Sequence, residues 1–299
     1  MMENEEEEMK TGEMKTEQAK TEQAKIGQTK IADYHVHSTV SPDGRGTMEE
    51  MCRAAVRAGI EEIAFTDHYE FYAGGITRKY FDREYVKRYF EELDQCRQVY
   101  DGKLLIRSGM EFGQLHLEPE KAAGIIRSWP FDYLIGSLHK IDNVDLSQME
   151  YREDTTEGIA NAYYRHLSEL ARTGDFDCLG HLDLYKRHCR KAGLPDHYER
   201  YEDRIIQVLE ILIGRGKGIE INTSGLRQGA GETMPGLKCL KLYKKLGGEI
   251  VTIGSDAHRP EDVGSGFGEA LTLMKEAGFD KIARFENRRC MFRSIWNCL

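Results

Sequence analysis

Short apolar segments alternate with longer amphipathic stretches from Ile31 onward, and this alternation predicts strands and helices in turn. The predicted strands are Ile31–Val36, Glu62–Thr66, Leu104–Met110, Asp132–Leu138, Asp177–Leu182, Gly218–Asn222 and Glu249–Gly254. The predicted helices are Met48–Ala58, Asp82–Tyr100, Pro119–Arg127, Thr156–Arg172, His197–Ile213 and Gly236–Leu246. Thr47 and Asp82 suit helix N-caps, and Gly59 and Gly247 suit the position after a helix C-terminus.

Strands that alternate with helices indicate an α/β fold, a parallel sheet joined by right-handed crossovers. The seven units predict a (β/α) barrel slightly short of the usual eight. A doubly wound open sheet is the alternative architecture. From Ala270 onward the pattern indicates a closing helix and then an element of irregular type.

Residues 1–29 differ in composition from the rest of the chain. They are rich in Glu, Lys, Gln and Thr, and they repeat Thr-Glu-Gln-Ala-Lys at Thr16–Lys20 and Thr21–Lys25. This segment has almost no residues that could form a core, so we expect a disordered, solvated tail. Residues 30–299 are expected to form the barrel domain.

The composition of the 299 residues is that of a globular protein, with 40% hydrophobic and 31% charged residues. No apolar run approaches the roughly 18 residues of a membrane helix, and the acidic start lacks the features of a secretory signal. The net charge of -9 disfavours nucleic acid as a partner, and the seven scattered cysteines indicate reduced thiols. We expect a cytoplasmic protein that binds neither membrane nor nucleic acid. The pattern does not indicate its oligomeric state.

Histidines and acidic residues stand where the predicted strands end. These strand ends read His35-Val36-His37, Thr66-Asp67-His68, Gly109-Met110-Glu111, Gly136-Ser137-Leu138-His139, Gly180-His181 and Ser255-Asp256-Ala257-His258. Parallel α/β folds place their active sites at the carboxyl ends of strands. We therefore expect these side chains to converge on one mouth of the barrel.

A convergence of imidazoles and carboxylates indicates a metal site, because bare groups of this kind would repel one another or stay unsatisfied. Residues two apart on a strand point to one face, so His35 and His37 can bind the same ion. Such ligands suit zinc, iron and manganese alike. No Gly-x-Ser-x-Gly elbow surrounds the serines near these motifs, which argues against a serine hydrolase.

These motifs resemble those of the polymerase-and-histidinol-phosphatase (PHP) superfamily of metal-dependent phosphoesterases. The resemblance is carried by His35-Val36-His37-Ser38, Thr66-Asp67-His68, Glu111, His139, His181 and Ser255-Asp256-Ala257-His258. Gly180–Arg187 and Glu220–Arg227 are similar to the histidinol-phosphatase branch. The resemblance extends from about Ile31 through the rest of the chain. It implies a distorted seven-stranded TIM-like barrel with a trinuclear metal centre at the C-terminal ends of the strands.

The resemblance also implies the ligands of three divalent metal ions. One ion would bind His35, His37, Glu111 and Asp256. A second would share Glu111 and add His139 and His181, and the third would bind Asp43, His68 and His258. Asp43 is the least secure of these ligands, because Ser41-Pro42-Asp43-Gly44 is also an ordinary turn sequence.

The activity that the resemblance implies is hydrolysis of a small phosphorylated substrate, with histidinol phosphate of histidine biosynthesis as the favoured monoester. A metal-bridging hydroxide held by Glu111, Asp256 and His139 would attack phosphorus in line. Three divalent ions, three carboxylates and this hydroxide leave a net charge of about +2, which matches a monoester dianion.

Other residues are candidates for supporting roles. Asp67 or His258 could position water or a proton, and Arg187 and Arg227 could grip the phosphate bidentately. Glu220 and Asn222 could lie behind the ligands, touch a substrate amine or only pack in the core. His116, His166, His188 and His197 fall in loops or helices, and we interpret them as surface residues without a functional role.

Two alternatives remain open at this point. The substrate could be another monoester, namely a nucleotide, a phosphosugar or phosphotyrosine, or the chain could be a metal-binding regulatory module without turnover. An amidohydrolase-like C–N hydrolase is disfavoured, because the predicted strand ends offer no lysine to bridge metals after carbamylation and Glu111 holds that place.

Overall fold

The apolar segments form strands in the computed structural model, which describes residues 31–74, 81–196 and 198–295. In chain order the strands are β1 (Ile31–Val36), β2 (Ile60–Phe65), β3 (His68–Glu70), β4 (Leu105–Gly113), β5 (Tyr133–Ser137), β6 (Lys140–Ile141), β7 (Val144–Asp145), β8 (Cys178–Leu179), β9 (Gly218–Asn222), β10 (Val251–Gly254), β11 (Lys281–Glu286) and β12 (Arg289–Ser294). Each of the seven strands predicted from the sequence is present, with shifted ends in most cases.

The main sheet runs in the order β1-β2-β4-β5-β8-β9-β10, and β3 pairs with β4 beyond the end of β2. All of these pairings are parallel. The edge strands meet where the Asp256 amide donates to the His35 carbonyl at 2.8 Å and the His37 amide donates to the Ala257 carbonyl at 2.9 Å. The sheet is therefore a nearly closed seven-stranded barrel, which confirms the predicted barrel and excludes the doubly wound alternative.

Two strands differ from their predicted lengths in ways that shape the upper rim of the barrel. β4 continues past Met110 to Gly113, so Glu111 lies within a paired strand, with His68 and Ile135 as its neighbours in register. β8 has only two residues, because the chain turns away at His181 with a φ of 21°. Ligand candidates thus project both from strands and from the turns that follow them.

The helices surround the sheet at nearly the predicted positions. They are α1 (Met48–Arg57), α2 (Arg83–Val99), α3 (Pro119–Ser128), α4 (Thr156–Thr173), α5 (Tyr185–Lys191), α6 (Tyr198–Gly214), α7 (Ser224–Arg227), α8 (Leu237–Lys245) and α9 (Phe267–Glu276). Thr47 forms a capping box with Glu50, and Asp82 accepts a hydrogen bond from the Tyr85 amide, which confirms both predicted N-caps. The short helices α5 and α7 were not predicted.

The segment after α9 is a β-hairpin, and the prediction of an irregular last element was wrong. β11 and β12 pair antiparallel through the turn residues Asn287 and Arg288, both of which have positive φ. This is the geometry of a two-residue type I′ turn, for which asparagine is a recognised signal. The hairpin lies against the amino-terminal end of the barrel, where Phe285 packs on Tyr34 and Tyr133.

A buried ionic network joins this hairpin to the floor of the barrel. Glu62 on β2 accepts hydrogen bonds from the Tyr34 hydroxyl at 2.7 Å, from Arg107 at 2.8 Å and from Arg284 of the hairpin at 2.7 Å. The Glu62 side chain is 2% exposed. A charge in such a place must be paired, because its desolvation would otherwise cost several kcal/mol. The network thereby holds the floor of the barrel closed.

The structure bears on two further predictions made from composition. Six cysteines of the described ranges are free thiols, as predicted, and within those ranges no helix has the length and hydropathy of a bilayer-spanning segment. The predicted tail at 1–29, together with His197 and Cys298, lies outside the described residues.

Replacing Glu62 by alanine is expected to destabilise the fold by about 3 kcal/mol, because two buried arginines lose a shared carboxylate. Equilibrium unfolding in urea measures this change. Glu169→Ala removes an exposed partner of Arg172 in α4 and is the matched control, with an expected cost below about 0.5 kcal/mol. Equal stabilities of the two variants would contradict the role given to Glu62.

Candidate metal centre

The carboxyl ends of the strands bring the nine predicted ligands to one rim of the barrel. They come from β1 (His35) and the loop after it (His37 and Asp43), β3 (His68), β4 (Glu111), the turn after β5 (His139), the turn after β8 (His181) and the segment after β10 (Asp256 and His258). The predicted convergence is therefore present. It follows from parallel pairing, which places equivalent strand ends at one edge.

Glu111 lies at the middle of this group and is fully buried. Its Oε1 atom is 3.0 Å from His139 Nε2 and 2.9 Å from His181 Nε2. Its Oε2 atom is 2.8 Å from His68 Nδ1 and 3.3 Å from His35 Nε2. Each carboxylate oxygen thus faces a different pair of imidazoles, which is the position that a bridging ligand requires.

His35 and His37 form one side of the group. Their Nε2 atoms are 3.0 Å apart, and His37 Nε2 is 3.4 Å from Asp256 Oδ1. Both rings are fully buried. The alternation of side chains along β1 explains why the two rings share a face.

Asp43, His68 and His258 form the most exposed side. Asp43 Oδ2 is 3.4 Å from His68 Nε2 and 3.3 Å from His258 Nε2, and the Asp43 side chain is 56% exposed. The loop reaches this position because Gly44 packs directly on the backbone of Ser38, whose carbonyl oxygen would lie 1.8 Å from a Cβ at residue 44. The turn sequence Ser41-Pro42-Asp43-Gly44, which made Asp43 the least secure predicted ligand, therefore places its carboxylate beside His68 and His258.

The pKa values of Glu111 and His37 are shifted in the directions that favour binding of a cation. Burial alone would raise the pKa of Glu111, but the imidazoles of His139, His35 and His68 hold it well below its usual range. Burial also lowers the pKa of His37, and the neighbouring His258 and His68 lower it further. The group therefore holds an ionised carboxylate beside a neutral imidazole, the protonation states in which both bind metals.

Several donor atoms face one another without hydrogen bonding. Glu111 Oε2 and His68 Nδ1 are 2.8 Å apart, yet both are buried without a hydrogen-bond partner. Three sets of ligand atoms each lie within 4.8 Å of one another: His37, His68 and His258; His35, His37 and Glu111; and His68, Glu111 and His139. Lone pairs aimed at a common point fit a divalent cation, and imidazole with carboxylate is a suitable donor set for one.

A cavity of about 600 Å³ opens above this rim. Its walls include Asp43, His68, Glu111, His139, His181, Asp256 and His258, and also Tyr72, Phe81, Asp145, Leu184, Arg187, His188 and Gln228. Ligand candidates form its base, and aromatic, aliphatic and charged side chains form its sides. Such a cavity can hold a small molecule against the metal-binding rim.

A family model described as the PHP domain matches residues 33–224. The chain belongs to the PHP family. This match spans the strands from β1 to β9 and contains seven of the nine candidate ligands; Asp256 and His258 lie beyond it.

Individual relatives of this PHP protein match along almost their whole lengths. A Deinococcus radiodurans protein described as a probable histidinol-phosphatase is 30% identical over 263 residues, which are 86% of this chain and 97% of that protein. The histidinol-phosphatase of Lactococcus lactis subsp. lactis is 28% identical over 261 residues, 86% of this chain and 95% of that protein.

A solved PHP-type structure is also similar to this chain. It is the crystal structure of histidinol phosphate phosphatase from Lactococcus lactis complexed with zinc, L-histidinol and phosphate. It matches with a TM-score of 0.75 at 26% identity and covers 88% of this chain and 99% of that one.

Glu220 on β9 supports the PHP centre from inside the barrel. Its Oε1 atom is 2.6 Å from His35 Nδ1, and its Oε2 atom accepts hydrogen bonds from the His181 amide and from Asn222 Nδ2. Gly254 makes room for it, since a Cβ there would lie 2.2 Å from Glu220 Oε1. The structure thus places Glu220 and Asn222 behind the ligands, one of the roles considered from the sequence.

Glu70 is a supporting residue that the sequence analysis missed. Its Oε1 atom is 2.6 Å from His139 Nδ1, and Lys140 Nζ donates to its Oε2 atom at 2.5 Å. Burial alone would lower the pKa of His139, but Glu111 and Glu70 raise it to about 9. The sequence did contain a signal for this role: Glu70 follows His68 by two residues, so on a strand both side chains point to the same face as the ligands.

Asp67 is not among the residues that line the cavity, and its part in positioning water or a proton stays a prediction. It is buried and accepts hydrogen bonds from the amides of Ser38 and Ser41 and from both of their hydroxyls. It therefore orders the loop that carries His37 and Asp43. Of the two candidates for handling a proton, His258 is the one that lines the cavity.

The two arginines predicted to grip phosphate have different positions. Arg187 lines the cavity and donates from Nη1 to the Gln228 side chain. Arg227 Nη2 donates to the carbonyls of Ser255 and Asp256 at 2.6 and 2.9 Å, and its Nη1 is buried without a hydrogen-bond partner. Arg227 thus braces the backbone at Asp256 and is absent from the cavity wall.

Three histidines predicted at the surface are partly buried, so that prediction was wrong for them. His116 Nε2 lies 3.4 Å from His166 Nδ1, and burial lowers the pKa of His116 to about 4. His188 stacks on Tyr151 and lines the cavity. Only His166 lies in a helix predicted from the sequence, and periodicity did not show that His116 would pack against His166 or that Tyr151 would stack on His188.

Glu220→Gln is expected to weaken metal binding about 10- to 100-fold, because the carboxylate that orients His35 and raises its basicity is lost. Competitive titration with a chelating dye measures the affinity. Glu249→Gln changes an exposed glutamate just before β10 and is the control, with unchanged affinity expected. Unchanged affinity in Glu220→Gln would show that His35 needs no such support.

Proposed function

We propose that this PHP protein hydrolyses a small phosphomonoester, L-histidinol phosphate, to the free alcohol and inorganic phosphate. The observation that carries this proposal is the group of nine candidate imidazole and carboxylate ligands, seven of which line one 600 Å³ cavity while His35 and His37 lie directly behind Glu111 and Asp256. The histidinol-phosphatases among its relatives, one of them solved with L-histidinol and phosphate, support the choice of substrate.

The proposal includes three divalent ions of zinc, iron or manganese. His35, His37, Glu111 and Asp256 would hold one ion, Glu111, His139 and His181 a second, and Asp43, His68 and His258 the third. When bound, such ions supply Lewis acidity that activates water and offsets the charge of the phosphoryl oxygens. The zinc in the related Lactococcus lactis structure supports a divalent metal.

Arg187 is the proposed phosphate-binding side chain. Its Nε atom is buried without a hydrogen-bond partner, while Gln228 holds Nη1, so the guanidinium is oriented and keeps a free donor. Guanidinium groups bind phosphoryl oxygens through directed hydrogen bonds. Arg227 would contribute through its unpartnered Nη1 only if the segment around Asp256 opens toward the substrate.

The far wall of the cavity suits the organic part of such a substrate. Tyr72, Phe81 and Leu184 offer apolar surface, and Asp145 offers a carboxylate. Burial alone would raise the pKa of Asp145, but hydrogen bonds from Ser147 hold it below its usual range. An ionised carboxylate above an apolar wall fits a group that carries an ammonium or an imidazolium.

Two predictions from composition remain part of the proposal. We place the catalytic domain within residues 30–299, and we place the protein in the cytoplasm. The acidic, low-complexity start and the free, mostly buried cysteines support these statements.

A screen of metal-loaded protein against several monoesters tests the function. Histidinol phosphate is expected to give the highest kcat/KM, because its cationic groups can reach Asp145 while its phosphate reaches Arg187. Nucleotides, phosphosugars and phosphotyrosine are the competitors, and phosphate release is the readout. A competitor with a kcat/KM about 100-fold higher, roughly 2.7 kcal/mol, would overturn the substrate, and inactivity toward every monoester would favour a regulatory module.

Glu111→Ala is expected to abolish phosphate release and to lower the metal content, because Glu111 faces two sets of imidazoles at once. Elemental analysis and a phosphate assay measure the two effects. His166→Ala removes a partly buried histidine away from the rim and is expected to keep the rate within about twofold. A Glu111→Ala protein with full metal content and near-normal rate would contradict the assignment.

A further inference from the structure

A second cavity of about 210 Å³ lies beside α5, and we name it the rear cavity. Its charged lining is Asp183, Lys186, Arg190, Asp196, Glu199, Glu232 and Lys238. None of these residues lines the larger cavity above the metal centre, which uses Arg187 and His188 of the same helix. The two cavities therefore meet different faces of α5.

The cationic side chains of the rear cavity are already engaged. Lys186 Nζ lies 2.7 Å from Asp183 Oδ2 and donates to the Thr233 carbonyl at 3.0 Å. Arg190 pairs with Asp196 and Glu232, and Lys238 pairs with Glu199 at 3.0 Å. Four carboxylates face three cations, so the lining carries one excess negative charge.

Asp183 supplies an unused acceptor. The residue is 4% exposed, and its Oδ1 atom is buried without a hydrogen-bond partner. A buried carboxylate oxygen without a hydrogen-bond donor carries an uncompensated desolvation free energy, so a group that donates to this atom would stabilise the site. Tyr198 also lines the cavity, with Lys238 Nζ 4.5 Å from its ring centroid, so this ring already faces a cation. Tyr164 and Tyr185 line it as well, but both are buried.

We infer that the rear cavity binds a small organic cation with N–H donors, a protonated amine or a guanidinium-type group, through Asp183 Oδ1. The excess negative charge selects a cation, and the unpartnered oxygen selects one that donates hydrogen bonds. A water molecule could satisfy the same oxygen without any preference for charge, and this difference makes the inference testable.

Binding of a cation in the rear cavity would also affect the active cavity, because α5 and the loop at 228–236 contribute to both. Arg190 bonds to the Ala230 carbonyl and pairs with Glu232, and Lys186 pairs with Glu232, so the rear cavity ties α5 to the loop at 228–236. The same helix and loop carry Arg187 and Gln228, which bond to each other at the wall of the active cavity. This second half of the inference rests on the proposed phosphatase function.

The first experiment measures binding to the full-length, metal-loaded protein in saturating inorganic phosphate, and it is repeated with Asp145→Asn so that any binding of the probe at the Asp145 end of the active cavity is separated. The probes are methylguanidinium and its neutral isostere N-methylurea, followed by ligand-observed NMR and by thermal unfolding. Methylguanidinium is expected to bind and to raise the unfolding temperature, whereas N-methylurea does neither. Equal behaviour of the two probes would mean that the cavity holds water or additives without selecting cations, and it would overturn the inference.

Variants locate the binding. Glu199→Lys at the exposed rim changes the lining charge by two and is expected to weaken methylguanidinium binding about threefold or more. Glu157→Lys is the matched control, because Glu157 is an exposed glutamate in a 3.0 Å pair with Arg200 but lies outside the cavity. Asp183→Asn is expected to abolish the binding. If that variant fails to fold, the comparison of Glu199→Lys with Glu157→Lys still decides, and equal affinities in the two would contradict the site.

A kinetic measurement tests the coupling separately. Methylguanidinium is expected to change the KM for the phosphomonoester about twofold or more in the native protein and in Glu157→Lys, with a smaller effect in Glu199→Lys. Binding with an unchanged KM would overturn the coupling and leave the site intact. A protein without phosphatase activity but with selective methylguanidinium binding would refute the proposed function alone.

Discussion

The arrangement of the molecule depends on the need to balance buried charge around Glu111. Both of its oxygens face imidazoles, and the carboxylate has no contact with solvent. Such a group is tolerated only where cations or directed donors surround it. The closed barrel meets this need, because parallel pairing presents the ends of many strands to one point while the lower strands exclude water.

At the opposite, amino-terminal end of the barrel, buried charges are likewise balanced by partners. Glu62, Arg107 and Arg284 form a closed set of buried charges that joins the terminal hairpin to β2 and β4. Supporting carboxylates at the upper end work in a similar way: Glu220 orients His35, and Glu70 orients His139. Buried carboxylates at both ends of the barrel, Glu62, Glu220 and Glu70, are thus paired with side chains from other segments of the chain.

Local sequence predicted the parts of this design that short spacing determines. His35-Val36-His37 and the other strand-end motifs were recognisable because a strand alternates every two residues. Glu70 followed the same rule but was overlooked on a strand of only three residues. The loop-ordering role of Asp67 and the docking of the β11–β12 hairpin on the barrel depend on contacts between distant segments, and periodicity carries no information about such contacts.

The joining of β1 to β10 has a consequence for how the protein acquires its metals. His35 leaves the ribosome early, whereas Asp256, whose amide bonds to the carbonyl of His35, is synthesised near the end. A nascent chain thus exposes only a partial set of ligands, which could capture ions in the wrong number or geometry. A complete set of ligands must therefore await β10 and the segment that follows it, so correct metal loading cannot precede synthesis of most of the polypeptide.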